Sequence, residues 1–195
     1  IIKGSFYFNF FISVCFLITL YEWYMMSKNK SYNIFGYIFL LFSFYSVYYV
    51  RIELEINSLF VFLLIVLICI STDIGGYVFG KTFKGPKLTK ISPKKTYIGV
   101  FGSYFLSIIL ANIFINYSKL FTNENLNFGK DEFIFVIIIS TVSQLGDLII
   151  SYFKRLSKIK DTGKIIPGHG GILDRIDGMI FAFPFFYVFS LILNL

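Results

Sequence analysis

Histidine, cysteine and charge are all scarce in this chain, which has one His and two Cys in 195 residues. A single imidazole excludes a multi-histidine zinc site. Cys15 and Cys69 both fall in apolar stretches, where they provide neither a disulfide framework nor metal-ligand spacing and read as inert buried thiols. No HExxH helix or CxxC pair occurs. Charged residues make up only 15%, and 56% of residues are hydrophobic. An ordinary soluble domain carries roughly 25% charge. So little polar surface cannot clothe a water-facing globule, and the composition points to a polytopic membrane protein. Acids are scarcer than bases, 11 against 18, for a net charge of +7. In a membrane protein this excess reads as topogenic charge and affinity for anionic lipid or nucleotide, not as a nucleic-acid surface.

Six apolar segments are present, at roughly 5–26, 34–50, 58–79, 97–116, 133–152 and 176–194. Each is near the ~20 residues a helix needs to cross the hydrocarbon core. Backbone groups in lipid must be satisfied within their own segment, so the expected fold is all-α, with about six transmembrane helices. It is read as one helical domain over 1–195, with 1–57 supplying N-terminal helices and 58–195 the region expected to carry the site. Segment 5–26 is too long for a signal-peptide core and lacks a small-residue cleavage site, so it counts as a span. Ile1 in place of Met points to a missing or processed N-terminus. The 26 Phe and 14 Tyr read as lipid-facing bulk and interfacial anchors.

The loops alternate in sign. Net charges run +2, −1, +6, −1 and +4 for 27–33, 51–57, 80–96, 117–132 and 153–175, and the Lys/Arg counts (2, 1, 6, 2, 6) alternate in the same way. By the positive-inside rule the first, third and fifth loops face the cytoplasm, and both ends of the chain lie outside.

Against this apolar background, residues 151–177 form a polar island containing Lys154, Arg155, Lys158, Lys160, Asp161, Lys164, His169, Asp174, Arg175 and Asp177. Basic groups can hold phosphate oxygens, and glycines such as Gly170 and Gly171 let a backbone approach a ligand closely. His169, flanked by glycines, is a candidate for hydrogen bonding to phosphate or for proton transfer. Ionisable groups inside spans are costly and are functional candidates by default, which singles out Asp73 and Asp147. Both fall toward the cytoplasmic ends of their segments, where Asp174 and Asp177 open the sixth. Asp174 and Asp177 are three residues apart and share one side of a helix. Four carboxylates are thus expected at one end of the bundle. Carboxylates suit Mg²⁺, which commonly takes one or two of them together with substrate phosphates. Nearby Lys and Arg can neutralise a transferring phosphoryl or nucleotidyl group. In loop 80–96, Ser92, Lys94, Lys95 and Thr96 offer a second compact anion-binding group.

These residues resemble the signature of the phosphatidate cytidylyltransferases, also called CDP-diacylglycerol synthases. The pattern reads here as Ser151, Lys154, Arg155, Lys160, Asp161, Gly163, Ile166, Pro167, His169, Gly170, Gly171, Asp174, Arg175 and Asp177. Thr72, Asp73, Gly75, Gly76 and Tyr77 match a second family segment, and Ser92-Pro93-Lys94-Lys95-Thr96 a third. Tyr97 and Ile98 stand where the family often has Trp and an acid, so a role for that acid is not carried over to this position. The likeness covers about 60–195; the first two segments are similar only as apolar helices. Family members usually carry eight or more spanning helices, so the resemblance implies a shortened chain or one lacking an N-terminal pair.

The resemblance implies an integral enzyme of a bacterial inner membrane, its site facing the cytoplasm and opening laterally to lipid. It would join CTP and phosphatidic acid into CDP-diacylglycerol and pyrophosphate, with Mg²⁺. Asp147 and Asp174 match the metal-binding carboxylates, with Asp177 as a secondary candidate. Lys154, Arg155, Lys160 and Arg175 would grip phosphates, with Lys94 and Lys95 assisting and Asp73, Ser92, Asp161, Gly170 and Gly171 lining the substrate. A second cation such as K⁺ and a homodimer are left open. Two alternatives stay open as well: a related CTP-dependent enzyme on another lipid, such as a CDP-archaeol synthase, and a non-enzymatic ion-translocating protein. A CDP-alcohol phosphotransferase is disfavoured by the absence of DxxDGxxAR.

Overall fold

The computed structural model describes residues 5–54, 57–89, 92, 95–122, 126–165 and 170–193. Within them the chain forms α1 (Ser5–Ser27), α2 (Asn33–Tyr48), α3 (Ser58–Phe83), α4 (Tyr97–Asn116), α5 (Lys130–Leu156), α6 (Leu173–Ile176) and α7 (Met179–Leu193). No β-strand occurs among the described residues, only one isolated bridge between Lys87 and Thr96. The protein is an all-α polytopic membrane protein, as its composition dictates. Among the described residues five helices are long and apolar enough to cross a membrane, α2 being extended to Glu53 by a wide π-type turn.

Three segments depart from their expected bounds. Helix α3 runs to Phe83 and α5 runs to Leu156, so Lys81, Lys154 and Arg155 stand on helices and not in loops. Polar residues continue a helix where the membrane ends, so hydropathy alone truncates both. The sixth span is shorter than expected: α7 has 15 described residues. At 1.5 Å per residue it is about 22 Å long. The break falls at Asp177 and Gly178. Asp177 Oδ1 accepts the Gly178 N–H at 2.9 Å, a local bond that competes with helix continuation. A β-carbon at 178 would collide with Ser143 of α5.

Because the chain reverses at each crossing, the end of α3, the start of α4, the end of α5 and the start of α7 meet at one end of the bundle. The other end is apolar, built on Phe60, Leu64, Ile65, Ile115, Val136, Ile139 and Phe183, all buried. Helices α3 and α4 pack most extensively. They approach through glycines: a β-carbon at Gly75 would strike the Gly102 carbonyl, and one at Gly99 would lie 2.8 Å from the Gly76 carbonyl oxygen. Hydroxyls then tie α5 to this pair. Ser103 Oγ donates to the Thr72 carbonyl at 2.7 Å, and Thr72 and Ser140 share a hydroxyl bond at 2.8 Å.

Helices α1 and α2 close the site end from the other side. Trp23 packs edge-on against Phe153 of α5 and donates its indole N–H to the Asn33 carbonyl at 3.0 Å. Tyr32 and Ser157 hydrogen-bond at 2.7 Å, fixing the α1–α2 turn to the end of α5. The buried cluster beneath comprises Trp23, Met26, Leu40, Ile150, Leu173 and Ile180.

Candidate active site

A cavity of about 380 Å³ opens at the polar end of the bundle. Helix α5 supplies its floor. Ser140, Ser143, Gln144, Asp147, Ser151 and Lys154 recur at helical spacing, giving a polar stripe on an apolar helix. Gln144, Asp147 and Lys154 of this stripe line the cavity. Helix α3 contributes Thr72, Asp73, Gly76 and Tyr77; α4 and the turn before it contribute Ser92, Lys95, Thr96, Gly99, Val100 and Ser103. The loop after α5 brings Asp161, Asp174, Arg175 and Asp177.

The segment before α4 folds back on itself. Leu88 N–H donates to the Lys95 carbonyl at 2.8 Å and Tyr97 N–H to the Pro86 carbonyl at 3.1 Å. Thr96 caps α4, its hydroxyl accepting the Gly99 N–H at 3.0 Å. This aims Lys95 inward, where its Nζ lies 2.6 Å from Asp147 Oδ2, with both side chains about a quarter exposed. Ser151 donates to the other Asp147 oxygen at 3.2 Å. The carboxyls of Asp177 and Asp73 stand close enough to Asp147 for mutual repulsion.

Asp174 is held more tightly. Its Oδ1 accepts from Lys154 Nζ at 2.8 Å; its Oδ2 accepts the Thr162 N–H at 2.8 Å and the Gly171 N–H at 3.0 Å. Burial pushes the Asp174 carboxyl up, but Lys154 and the two backbone N–H groups outweigh it and hold the group below the usual carboxylate value. Gly170, at φ +87°, adopts the left-handed turn that lets the loop wrap this carboxylate; a β-carbon there would lie 2.7 Å from Asp174 Oδ2.

Of the residues singled out from sequence, Asp73, Ser92, Lys95, Asp147, Lys154, Asp161, Asp174, Arg175 and Asp177 share the cavity wall. Gly170 and Gly171 shape the loop behind Asp174. Arg155 points away and donates to the Ile159 carbonyl at 3.2 Å, closing the end of α5. Lys160 is exposed and does not line the cavity. Lys94 and His169 lie outside the described residues. Gln144 and Ser103 are cavity residues that motif reading passes over. The α5 stripe contains the signal for Gln144, three residues before Asp147. Glu22 is a further polar participant. It lies in the first apolar segment, and the rule that picks out Asp73 and Asp147 applies to it equally.

The cavity's charge balance is informative. Among the described residues, five carboxyls (Asp73, Asp147, Asp161, Asp174, Asp177) line the cavity together with three cationic side chains (Lys95, Lys154, Arg175). Acids predominate, so the wall suits a bound cation, or a polyanion that arrives with one. Among the described residues no three His, Cys, Asp or Glu side chains form a ready-made metal cluster. Mg²⁺ does not need one, since one or two carboxylates plus ligand phosphates satisfy it.

Fold and site together define an integral membrane protein with a carboxylate-rich polar cavity at one end of its bundle. Residues 40–193 match the family model described as the cytidylyltransferase family. The chain is 38% identical over 178 residues to the phosphatidate cytidylyltransferase of Rickettsia prowazekii (strain Madrid E), covering 89% of this chain and 77% of that protein. It is 36% identical over 180 residues to that of Staphylococcus epidermidis (strain ATCC 12228), covering 89% of this chain and 65% of that protein. Against that of Haemophilus influenzae the figures are 42% over 137 residues, with 68% of this chain and 46% of that protein covered. The chain therefore spans between about half and three quarters of the length of these relatives. It belongs to the cytidylyltransferase family.

Proposed function

We propose that this protein transfers the cytidylyl group of CTP to phosphatidic acid, giving CDP-diacylglycerol and pyrophosphate, from the cytoplasmic face of a bacterial inner membrane. The observation that carries the reading is the cavity itself, with its carboxyls and cationic groups drawn from α3, the turn before α4, α5 and the α6 loop. The names of the relatives supply the lipid and the nucleotide. Tyr77 supports access for a lipid headgroup, since it lines the cavity while remaining 65% exposed on α3. The alternating Lys/Arg content of the loops supports the cytoplasmic placement.

In the proposed reaction a phosphate oxygen of phosphatidate attacks the α-phosphorus of CTP in line. The new O–Pα bond forms as the Pα–O bond to the β-phosphate breaks, and pyrophosphate departs with the electron pair. The lipid phosphate is already a nucleophile, so no covalent enzyme intermediate is needed. The chain's task is to hold two polyanions together and offset their repulsion. Mg²⁺, when bound, supplies charge neutralisation on the nucleotide phosphates. Asp147 with Asp177 beside it would hold it, since two facing carboxylates repel until a cation or proton sits between them. Asp174, whose oxygens already accept three hydrogen bonds, would contribute through Oδ1. Lys95 and Lys154 rest on Asp147 and Asp174 at 2.6 and 2.8 Å. They would turn to phosphate oxygens as substrates enter, while Arg175 grips a further phosphate oxygen.

The test is transfer of label from α-labelled CTP into the organic phase, using the purified chain in phosphatidate micelles with Mg²⁺. A chloroform-soluble cytidylyl lipid that needs both substrates supports the proposal. Label that stays aqueous with folded protein refutes it.

A further inference from the structure

The geometry points to Glu22, on α1, as the positioning residue that sets the catalytic loop from outside the cavity; the catalytic consequence rests on the reaction proposed above. Glu22 is 1% exposed and does not line the cavity. Its Oε1 accepts the Ile172 N–H at 2.9 Å, and its Oε2 accepts the Leu173 N–H at 2.8 Å and the Thr162 hydroxyl at 3.1 Å. None of these donors is a charged side chain.

A buried carboxylate within a spanning helix is expensive unless its oxygens are filled. Here the donors that fill them belong to the loop that carries Asp174 and Arg175. Ile172 and Leu173 open α6, and the first N–H groups of a helix have no partner of their own. Glu22 supplies one from a helix 150 residues away in sequence.

Glu22 and Asp174 grip the same loop from opposite sides. Thr162 offers its N–H to Asp174 and its hydroxyl to Glu22. Gly171 offers its N–H to Asp174, while the next two N–H groups turn to Glu22. The fit is close: a β-carbon at Gly163 would lie 2.6 Å from Glu22 Oε1, and one at Gly171 would collide with Glu22 and Thr162. The site-side carboxylate is therefore oriented by a second carboxylate that substrate does not reach. Glu22 also lies outside residues 40–193 matched by the family model, so the anchoring device sits beyond the matched region.

Hydrogen exchange read by mass spectrometry tests this on the whole chain in micelles, with CDP-diacylglycerol synthesis measured in parallel. In Glu22→Ala the Ile172 and Leu173 amides should exchange about tenfold faster or more, with α3 and α4 unchanged. The kcat should fall about tenfold or more while KM for CTP moves within about threefold, because Lys95 and Lys154 are carried by other elements. Glu22→Gln, which keeps one carbonyl acceptor, should recover part of the lost rate. Wild-type exchange at Ile172 and Leu173 in Glu22→Ala overturns the inference whatever the activity. Faster exchange with an unchanged kcat overturns the positioning role. If Glu22→Ala does not fold, Glu22→Gln decides: faster exchange at either amide supports the anchor, and wild-type exchange at both refutes it. A wild-type chain that makes no CDP-diacylglycerol, yet shows the exchange difference, refutes the proposed reaction and leaves the anchor standing.

Discussion

Asp174 and Asp147 face the same cavity from neighbouring elements, yet the protein holds them in opposite ways. Asp174 is encased: one ammonium and two backbone N–H groups occupy its oxygens, and its side chain is only 8% exposed. Asp147 is exposed to 25% and is held by one ion pair to Lys95, with a weaker contact from Ser151. Side by side they separate two tasks that a motif presents as one. Asp174 organises the loop, and any work on a ligand comes after that. Asp147, with Asp177 in reach, has an exchangeable partner and is the better placed to release Lys95 and take up a cation.

The largest effect expected from this contrast is at Asp174. Asp174→Ala leaves Lys154 buried and two N–H groups without an acceptor. Removing one partner of such a pair costs about 3–5 kcal/mol of stability, and activity should disappear with it. Chemical denaturation in micelles together with label transfer checks both; a variant of wild-type stability would show that the loop does not depend on this carboxylate. Asp147→Asn should separate the two quantities. Activity should fall on the order of 10³-fold. Stability should stay within about 1 kcal/mol, because a quarter-exposed pair contributes little and repulsion with Asp177 is relieved. A large loss of stability would erase the distinction.

Lys95→Met comes next in size. Losing a charge-assisted contact to phosphate of about 1.5–3 kcal/mol lowers kcat/KM by about tenfold to hundredfold. If Lys95 only pins Asp147, kcat/KM would be unchanged. The smallest effect is on pH dependence. The Asp174 carboxyl is held below its ordinary value of 3.8. Its contribution to stability is therefore fully present above that value and is lost as pH falls through the lower, folded-state value. Acid unfolding should show this limb in the wild type, and Asp174→Asn should flatten it; equal acid profiles would contradict the assignment.

Much of this is legible in the amino-acid sequence. Hydropathy and loop charge gave the spanning helices, and the polar island from Ser151 to Asp177 marked the site, because charge within so apolar a chain needs a reason. The rule against intramembrane carboxylates located Asp73 and Asp147. What remained hidden was directional. Spacing placed Arg155 and Lys160 beside Lys154, but only the helical phase of α5 turns Lys154 inward and Arg155 outward. Spacing also gave Asp174 and Asp177 a common side, but not the three hydrogen bonds that tie up the first. Glu22 was visible as a charge in an apolar segment, yet its partners lie about 140–150 residues away, a pairing no local pattern reveals.

The most direct test is pyrophosphate release by the whole chain in phosphatidate micelles with CTP and Mg²⁺, measured for wild type and for Asp147→Asn at equal folded concentration. Release that requires all three additions and falls on the order of 10³-fold in the variant is the expected result. Release that persists in the variant, or that proceeds without phosphatidate, would contradict cytidylyl transfer at this cavity.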